Sequence, residues 1–143
     1  MMYGLDTSVI VALEMSDHAR HRQAKEWLVQ AIASGARFAL APQVMAELVH
    51  VVTDAKRFAR PLTSQKAVAR AESWWNGEEV HRVYPGDLAV KQFLEWLSVL
   101  RLGRKRLLDT LLAATYLANG VTRIATLNTA DFEVFELFEL DEI

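Results

Sequence analysis

The sequence predicts an α/β fold: a mostly parallel central sheet of about four to five strands with helices on both faces. Three observations predict it. Short apolar runs of strand length alternate with longer segments of helical period, the pattern of parallel strands joined by helical crossovers. No internal repeat, low-complexity tract or long linker interrupts that alternation, so residues 1–143 are expected to form one domain. Two acids, Asp6 and Asp131, fall just past apolar strand runs, where sheets of this kind place binding sites at a switch in strand order.

The elements follow in order. Tyr3–Leu5 is a short apolar run ending at an acid, after which Thr7 or Ser8 can cap a helix reaching about Met15. From His18 to Ser34, apolar Ala24, Trp27, Leu28, Ala31 and Ile32 recur at helical period, and Gly35 supplies the stop. Arg37–Ala41 reads as a strand. Pro42, well tolerated in a first turn, opens a helix carrying Val44, Met45, Leu48, Val49 and Val52. Thr63–Trp75 is a further helix closed by Asn76–Gly77, and Val80–Tyr84 a strand followed by the Pro85–Gly86 turn. Asp87 can cap a helix to about Arg101. Arg104–Asn119 is a strongly apolar helix ended by Asn119–Gly120, Arg123–Leu127 a strand, and Phe135–Leu140 a last strand at a sheet edge.

Composition narrows the function. The chain is 52% hydrophobic and 24% charged, which supplies a packed core and argues against disorder. The absence of cysteine excludes disulfides, a thiol nucleophile and thiolate metal sites. The N-terminus lacks a basic n-region and meets an acid at position 6, unlike a signal peptide. No run approaches the roughly 18–20 apolar residues of a membrane helix. A cytoplasmic protein without membrane attachment is therefore expected.

Net charge is −2, yet six of the acids lie from Asp131 onward with no base among them. The first 130 residues hold sixteen bases against twelve acids, a balance of +4. The bases gather at Lys56, Arg57 and Arg60, and again at Arg101, Arg104, Lys105 and Arg106. Such clusters suit a phosphate backbone, and they also suit solvated helix ends.

Four acids stand out, each with a plain alternative. Asp6 suits an N-cap as well as a reactive site. Asp109 projects from a face whose neighbours are Leu112, Ala113 and Tyr116, so it must be paired, protonated or bound to a cation; Arg106 is the available ion-pair partner. Glu47 shares its face with Gln43, His50 and Asp54, as in an ordinary solvated stripe. Asp131 fits a capped single turn. If the four share one cleft, their charges repel and a cation or protons must neutralise them. Oxygen donors without cysteine or a helical His-x-x-x-His pair favour Mg²⁺ or Mn²⁺ over zinc. His18, His21, His50 and His81 show no ligand spacing, although His50 can neighbour the site.

At these residues the chain resembles a known family. Leu-Asp6-Thr7-Ser8-Val-Ile resembles the opening of PIN domains, and Pro42-Gln-Val-Met-Ala-Glu47-Leu their second acidic motif. Leu-Leu-Asp109-Thr-Leu-Leu-Ala-Ala-Thr resembles the third, and Thr126-Leu-Asn128-Thr-Ala-Asp131-Phe132 the fourth. The four occur in order and span almost the whole chain; residues 57–102 carry little of the likeness. Length and the lack of appended domains look most like the toxin component of VapBC-type toxin–antitoxin modules.

The resemblance implies a PIN-like three-layer sandwich. It also implies an endoribonuclease using one or two Mg²⁺ or Mn²⁺ ions held by Asp6, Glu47, Asp109 and Asp131. Water would attack the phosphodiester and leave 5′-phosphate and 3′-hydroxyl ends. Thr7, Ser8, Thr126 and Asn128 would orient the acids or the phosphate, with Asn128 also readable as a turn residue. Arg104, Lys105 and Arg106 are candidate RNA phosphate contacts. A homodimer and a VapB-like antitoxin wrapped around the helices near Pro42–Thr53 and Thr63–Trp75 are expected by the same likeness. Of the adjacent Trp74 and Trp75, one can face a partner or cover the core.

Three other functions stay in view: a PIN nuclease of RNA processing without an antitoxin, a non-catalytic partner-binding module, and a phosphatase with Asp6 as nucleophile. The last lacks its second acid, because Ser8 stands two residues on.

Overall fold

A computed structural model describes residues 1–143. Five strands form one sheet in which every pairing is parallel: β1 (Met2–Leu5), β2 (Arg37–Leu40), β3 (Val80–Arg82), β4 (Arg123–Thr126) and β5 (Glu139–Glu142). Their order is β3-β2-β1-β4-β5. The chain moves from β1 outward to β3, then returns across β1 to β4 and β5. The direction of winding therefore switches between β1 and β4, and the crevice beyond their carboxyl ends is where ligands settle in such sheets.

Helices α1 (Thr7–Glu14), α2 (His21–Ala33), α3 (Pro42–Val52) and α4 (Ser64–Trp75) belong to the first winding. Neighbours among them pack together: α1 touches both α2 and α3, and α3 touches α4. Helices α5 (Asp87–Val99) and α6 (Leu107–Ala118) belong to the second and pack on each other. Right-handed crossovers then place the two groups on opposite faces. This is the three-layer arrangement expected. A single turn, α7 (Ala130–Glu133), links β4 to β5.

The central strands are sealed on both faces: Leu5, Ala39, Leu40, Ile124 and Ala125 are fully buried. Edge strands β3 and β5 are largely exposed, and β5 reads Glu-Leu-Asp-Glu. Charge on an edge discourages further strand pairing. Gly35 and Gly120 take positive φ, 80° and 75°, just after α2 and α6, as their place at helix ends requires.

One close approach ties α6 to the sheet. The buried Tyr116 hydroxyl donates to the carbonyl oxygens of Leu5 at 2.5 Å and Ala39 at 3.1 Å. Its ring lies where a side chain at residue 4 would stand: a Cβ on Gly4 would meet ring carbons at 2.6 and 2.7 Å. Glycine at position 4 thus lets α6 dock across β1 and β2. Asp109, two helical turns before Tyr116, is carried with it to the switch-point end.

The boundaries differ from expectation in four places. The second helix begins at His21 rather than His18, because the Arg20 amide bonds to the His18 Nδ1 at 3.0 Å in a turn before it. The helix expected from Arg104 starts as a 3₁₀ turn, Arg104–Arg106, and becomes α-helical only at Leu107. Three consecutive bases oppose the positive end of a helix dipole. Asp87 is the first helical residue of α5, with Gly86 in the cap position. The last strand lies at Glu139–Glu142, not Phe135–Leu140. Phe135 instead packs against Trp96, with ring centroids 4.4 Å apart and planes tilted by 31°, and Glu136 takes a φ of 57°. The strand is at the edge, as expected, and Arg123 pairs with its cross-strand neighbour Glu139.

Candidate active site

Asp6 follows β1 directly and stands in the cap position of α1, but its side chain does not cap the helix. It is 7% exposed, and its Oδ2 accepts from Ser8 Oγ at 2.6 Å and Thr126 Oγ1 at 2.8 Å. Oδ1 has no protein donor, and it is not among the sealed-off polar atoms, of which Arg106 Nε is the sole case. One oxygen is thus anchored and the other faces the cleft. Burial raises the Asp6 pKa, the two hydroxyl bonds oppose that rise, and the charges of Glu47 and Asp131 add to it.

Thr7 and Ser8 do not serve as helix caps, contrary to expectation. They are the first two residues of α1, and their hydroxyls serve acids instead. Thr7 Oγ1 donates to Glu47 Oε2 at 2.7 Å, joining α1 to α3. Ser8 Oγ, besides donating to Asp6, accepts the Leu127 amide at 3.2 Å. Thr126 Oγ1 likewise accepts the Asn128 amide at 3.0 Å. Asn128 itself is exposed and takes part through its backbone, its carbonyl accepting the Asp131 amide at 3.2 Å. That is the geometry of a turn.

Asp109 lies in the first turn of α6 and Asp131 in the short α7. No ion pair forms at Asp109. Arg106 directs its guanidinium to the backbone carbonyl of Asp131, and its Nε is buried without a partner. The Asp109 carboxyl is pushed up to about 7, first by burial and then by the charges of Asp6, Asp131 and Glu47, against a smaller pull from Arg106.

All four acids line one cleft of about 440 Å³ at the switch point, with Thr7, Ser8, His50, Arg57 and Leu108. Arg57, legible in the sequence only as part of a basic cluster, also lines the cleft; nothing in a loop residue's neighbours signals which way it turns. A larger hollow of about 550 Å³ lies between α3 and α4, lined by Met45, Val49, Val68 and Trp75 among others. It is mainly apolar, so the acid chemistry belongs to the smaller cleft.

The donor set suits a hard divalent cation. All the acids offer oxygen, Asp6 Oδ1 is open, and the mutual repulsion felt at Asp109 is what a bound cation relieves. No three acids stand close enough to form a ready-made cage. A hard divalent cation here would take one or two of these carboxylates and fill its remaining positions with water and phosphate oxygens.

The comparisons agree with this architecture. The PIN domain family model matches residues 3–136. Among solved structures, the VapC20 toxin of Mycobacterium tuberculosis, described as cleaving the sarcin–ricin loop, superposes with a TM-score of 0.73 at 20% identity, covering 97% of this chain and 98% of that one. VapBC-1 of nontypeable Haemophilus influenzae gives 0.69 at 17% identity, covering 99% and 98%. VapBC2 of Rickettsia felis, bound to a promoter DNA fragment, gives 0.69 at 17%, covering 100% and 99%. No curated protein matches the chain by sequence. With the family model spanning nearly the whole chain, the chain belongs to the PIN domain family.

Proposed function

We propose that this protein is a metal-dependent endoribonuclease and the toxin component of a type II toxin–antitoxin module. The observation that carries the reading is the convergence of Asp6, Glu47, Asp109 and Asp131 on one cleft at the switch point of a PIN domain. Those four would hold one or two Mg²⁺ or Mn²⁺ ions. A bound ion of this kind supplies Lewis acidity toward phosphate oxygens and toward water.

The chain's own residues do the positioning. Ser8 and Thr126 fix one oxygen of Asp6 and leave the other directed into the cleft. Thr7 does the same for Glu47 from the adjoining helix. Holding the acids before substrate arrives removes reorganisation from the reaction itself. Arg104 and Lys105 are exposed on the turn leading to Leu108 and Asp109, and would contact RNA phosphates beside the cleft. Arg106, the third candidate contact, keeps its guanidinium inside against Asp131. Its contribution is positive potential behind Asp109.

Two features support partners. The apolar hollow uses Pro42, Met45, Ala46 and Val49 on one face of α3, while Glu47 and His50 face the cleft from another. A VapB-like antitoxin segment seated in the hollow would lie one helix away from the acids. The similar Haemophilus and Rickettsia structures are of VapBC pairs, which favours this partner over a nuclease without an antitoxin. Leu88, Leu94 and Val99 are exposed along α5 and suit a homodimer contact. No helix is long and apolar enough to cross a membrane.

The test is cleavage of a mixed RNA pool by purified, antitoxin-free protein with Mg²⁺, with Mn²⁺ and with EDTA, beside Asp6→Ala. Cutting that needs metal and is lost in the variant is expected. Folded wild-type protein that cuts nothing with either metal would favour the non-catalytic binding module.

A further inference from the structure

The cleft sets an electrostatic problem that its acids do not solve. Four carboxylates repel the phosphates that must reach them, and a basic side chain on the cleft wall helps to admit a polyanion beyond what bound metal neutralises. Among its lining residues Arg57 is the single permanent base. Of the other bases near the cleft, Arg20 donates to the Leu127 carbonyl at 3.0 Å and Arg106 to that of Asp131, while Arg104 and Lys105 stand on the exposed turn outside the cleft lining.

The loop after α3 is built to present Arg57. Asp54 Oδ1 accepts the Lys56 amide at 2.8 Å, and the Asp54 carbonyl accepts the amides of Arg57 and Phe58, each at 3.1 Å. Phe58 packs against the core and anchors the turn. The guanidinium itself is barely held. Its sole ion pair is with Asp54 at 3.5 Å, and the two side chains are 59% and 28% exposed. Such a surface pair is weak and easily exchanged.

We propose that Arg57 is the phosphate clamp of this cleft. It exchanges Asp54 for the non-bridging oxygens of an RNA phosphate next to the cleaved bond, which a guanidinium can grip with two parallel hydrogen bonds. RNA then crosses between Arg57 on one wall and Leu108 and Asp109 on the other. This deepens the ribonuclease reading and rests on it.

The test uses the full chain and two readouts. In cleavage assays on the RNA pool, Arg57→Gln raises KM about tenfold and leaves kcat within about twofold, whereas Arg57→Lys recovers part of the loss. The second readout is anisotropy of a labelled mixed-sequence RNA bound to protein carrying Asp109→Asn, measured across salt concentrations. Arg57→Gln lowers the slope of log affinity against log salt by about 0.7–1, and Arg57→Lys restores it, because a point charge releases the same counterion. Unchanged KM and unchanged salt slope in Arg57→Gln would overturn the clamp while leaving the nuclease intact. An arginine-dependent slope in protein that never cuts would keep the clamp and overturn the ribonuclease reading.

Discussion

The two walls of the cleft are built differently. On the wall formed by β1, α1 and α3, Asp6 and Glu47 are each held by hydroxyls from Thr7, Ser8 and Thr126 at 2.6–2.8 Å. On the wall formed by α6 and α7, no side-chain donor holds Asp109 or Asp131; Arg106 grips only the backbone of Asp131. The first wall is arranged in advance. The second has no such anchors: burial first, and then the charges of Asp6, Asp131 and Glu47, push the Asp109 carboxyl up to about 7. A cation would bridge the two, converting repulsion into attraction, and the contrast predicts which substitutions harm catalysis, which harm folding and which harm both.

The largest effect is at Asp109. Asp109→Asn should lower cleavage by about a thousandfold, the several kcal/mol expected when a charged oxygen donor is lost from such a site. Stability should move the other way in metal-free protein. The carboxyl titrates near 3.8 unfolded and about 7 folded, so the folded state binds its proton more tightly. As pH rises from about 4 to 7 the aspartate therefore costs growing stability, all of it felt above 7. The variant should be more stable by about 1–2 kcal/mol at pH 7.5 in EDTA, after allowing for the solvent that reaches this half-buried group, and less so at pH 5. Thermal unfolding at both pH values checks it. A variant less stable than wild type at pH 7.5 in EDTA would mean that Asp109 is not repelled.

Thr126→Val comes next. It keeps the shape of a fully buried side chain but removes a donor from Asp6 Oδ2 and an acceptor from the Asn128 amide. Cleavage at fixed metal should fall about 10–100-fold, as when a group orienting a ligand is lost. Stability should fall by about 1–3 kcal/mol. With one of its two hydroxyl bonds gone, the Asp6 pKa rises further, and the acid limb of the pH–rate profile should shift upward. A parallel profile displaced only in height would argue that Thr126 acts on the fold alone.

Legibility in the sequence divided between the elements, which are local, and the contacts between them, which are not. Asp6 and Glu47 sit on elements whose signals are local: an apolar run ending in an acid, and Pro42 opening a helix. Both elements lie where expected. The support from Thr7, Ser8 and Thr126 was legible only through the resemblance to PIN domains, since the bonds from Thr7 to Glu47 and from Thr126 to Asp6 span 40 and 120 residues. On the α6 wall Asp109 was the plainest signal, an acid on an otherwise apolar helical face, and its surroundings were the harder part. Arg106 looked like an ion-pair partner for Asp109 three residues on, but α7 docks alongside and offers a carbonyl instead. The tail misled for a related reason. Its Phe135 and Phe138 read as strand residues, while packing against Trp96 draws Phe135 into the core and leaves the strand to an acidic segment whose partner is Arg123. Arg57 depended on a loop's direction, which no residue pattern encodes.

Gly4→Ala attacks the α6 wall without touching any cleft residue. The added methyl meets the Tyr116 ring at 2.6–2.7 Å, so the ring and with it α6 must shift. The expected cost is about 1–3 kcal/mol of stability, read as a lower thermal midpoint. Because Tyr116 also bonds to the Leu5 and Ala39 carbonyls, the shift weakens the tie that sets Asp109 opposite Asp6. Activity at a temperature where the variant is folded should fall as well. Unchanged activity in the folded variant would show that the α6 wall tolerates displacement.

Thr7→Val should have the smallest effect, and it separates positioning from folding most cleanly. Glu47 is less buried than Asp6, so losing its 2.7 Å hydroxyl bond leaves a carboxylate that water can solvate. The stability cost is therefore at the low end for a hydrogen bond, about 0.5–1.5 kcal/mol. If Glu47 helps hold a cation, freeing it raises the Mg²⁺ concentration needed for half-maximal cleavage by up to about tenfold, while the rate at saturating Mg²⁺ recovers. Restoring the hydroxyl with Thr7→Ser should restore the metal dependence too. If saturating metal does not recover the rate, Thr7 acts on substrate or fold. An unchanged metal requirement would mean that Glu47 needs no anchoring, and the contrast between the two walls would then rest on Asp6 alone.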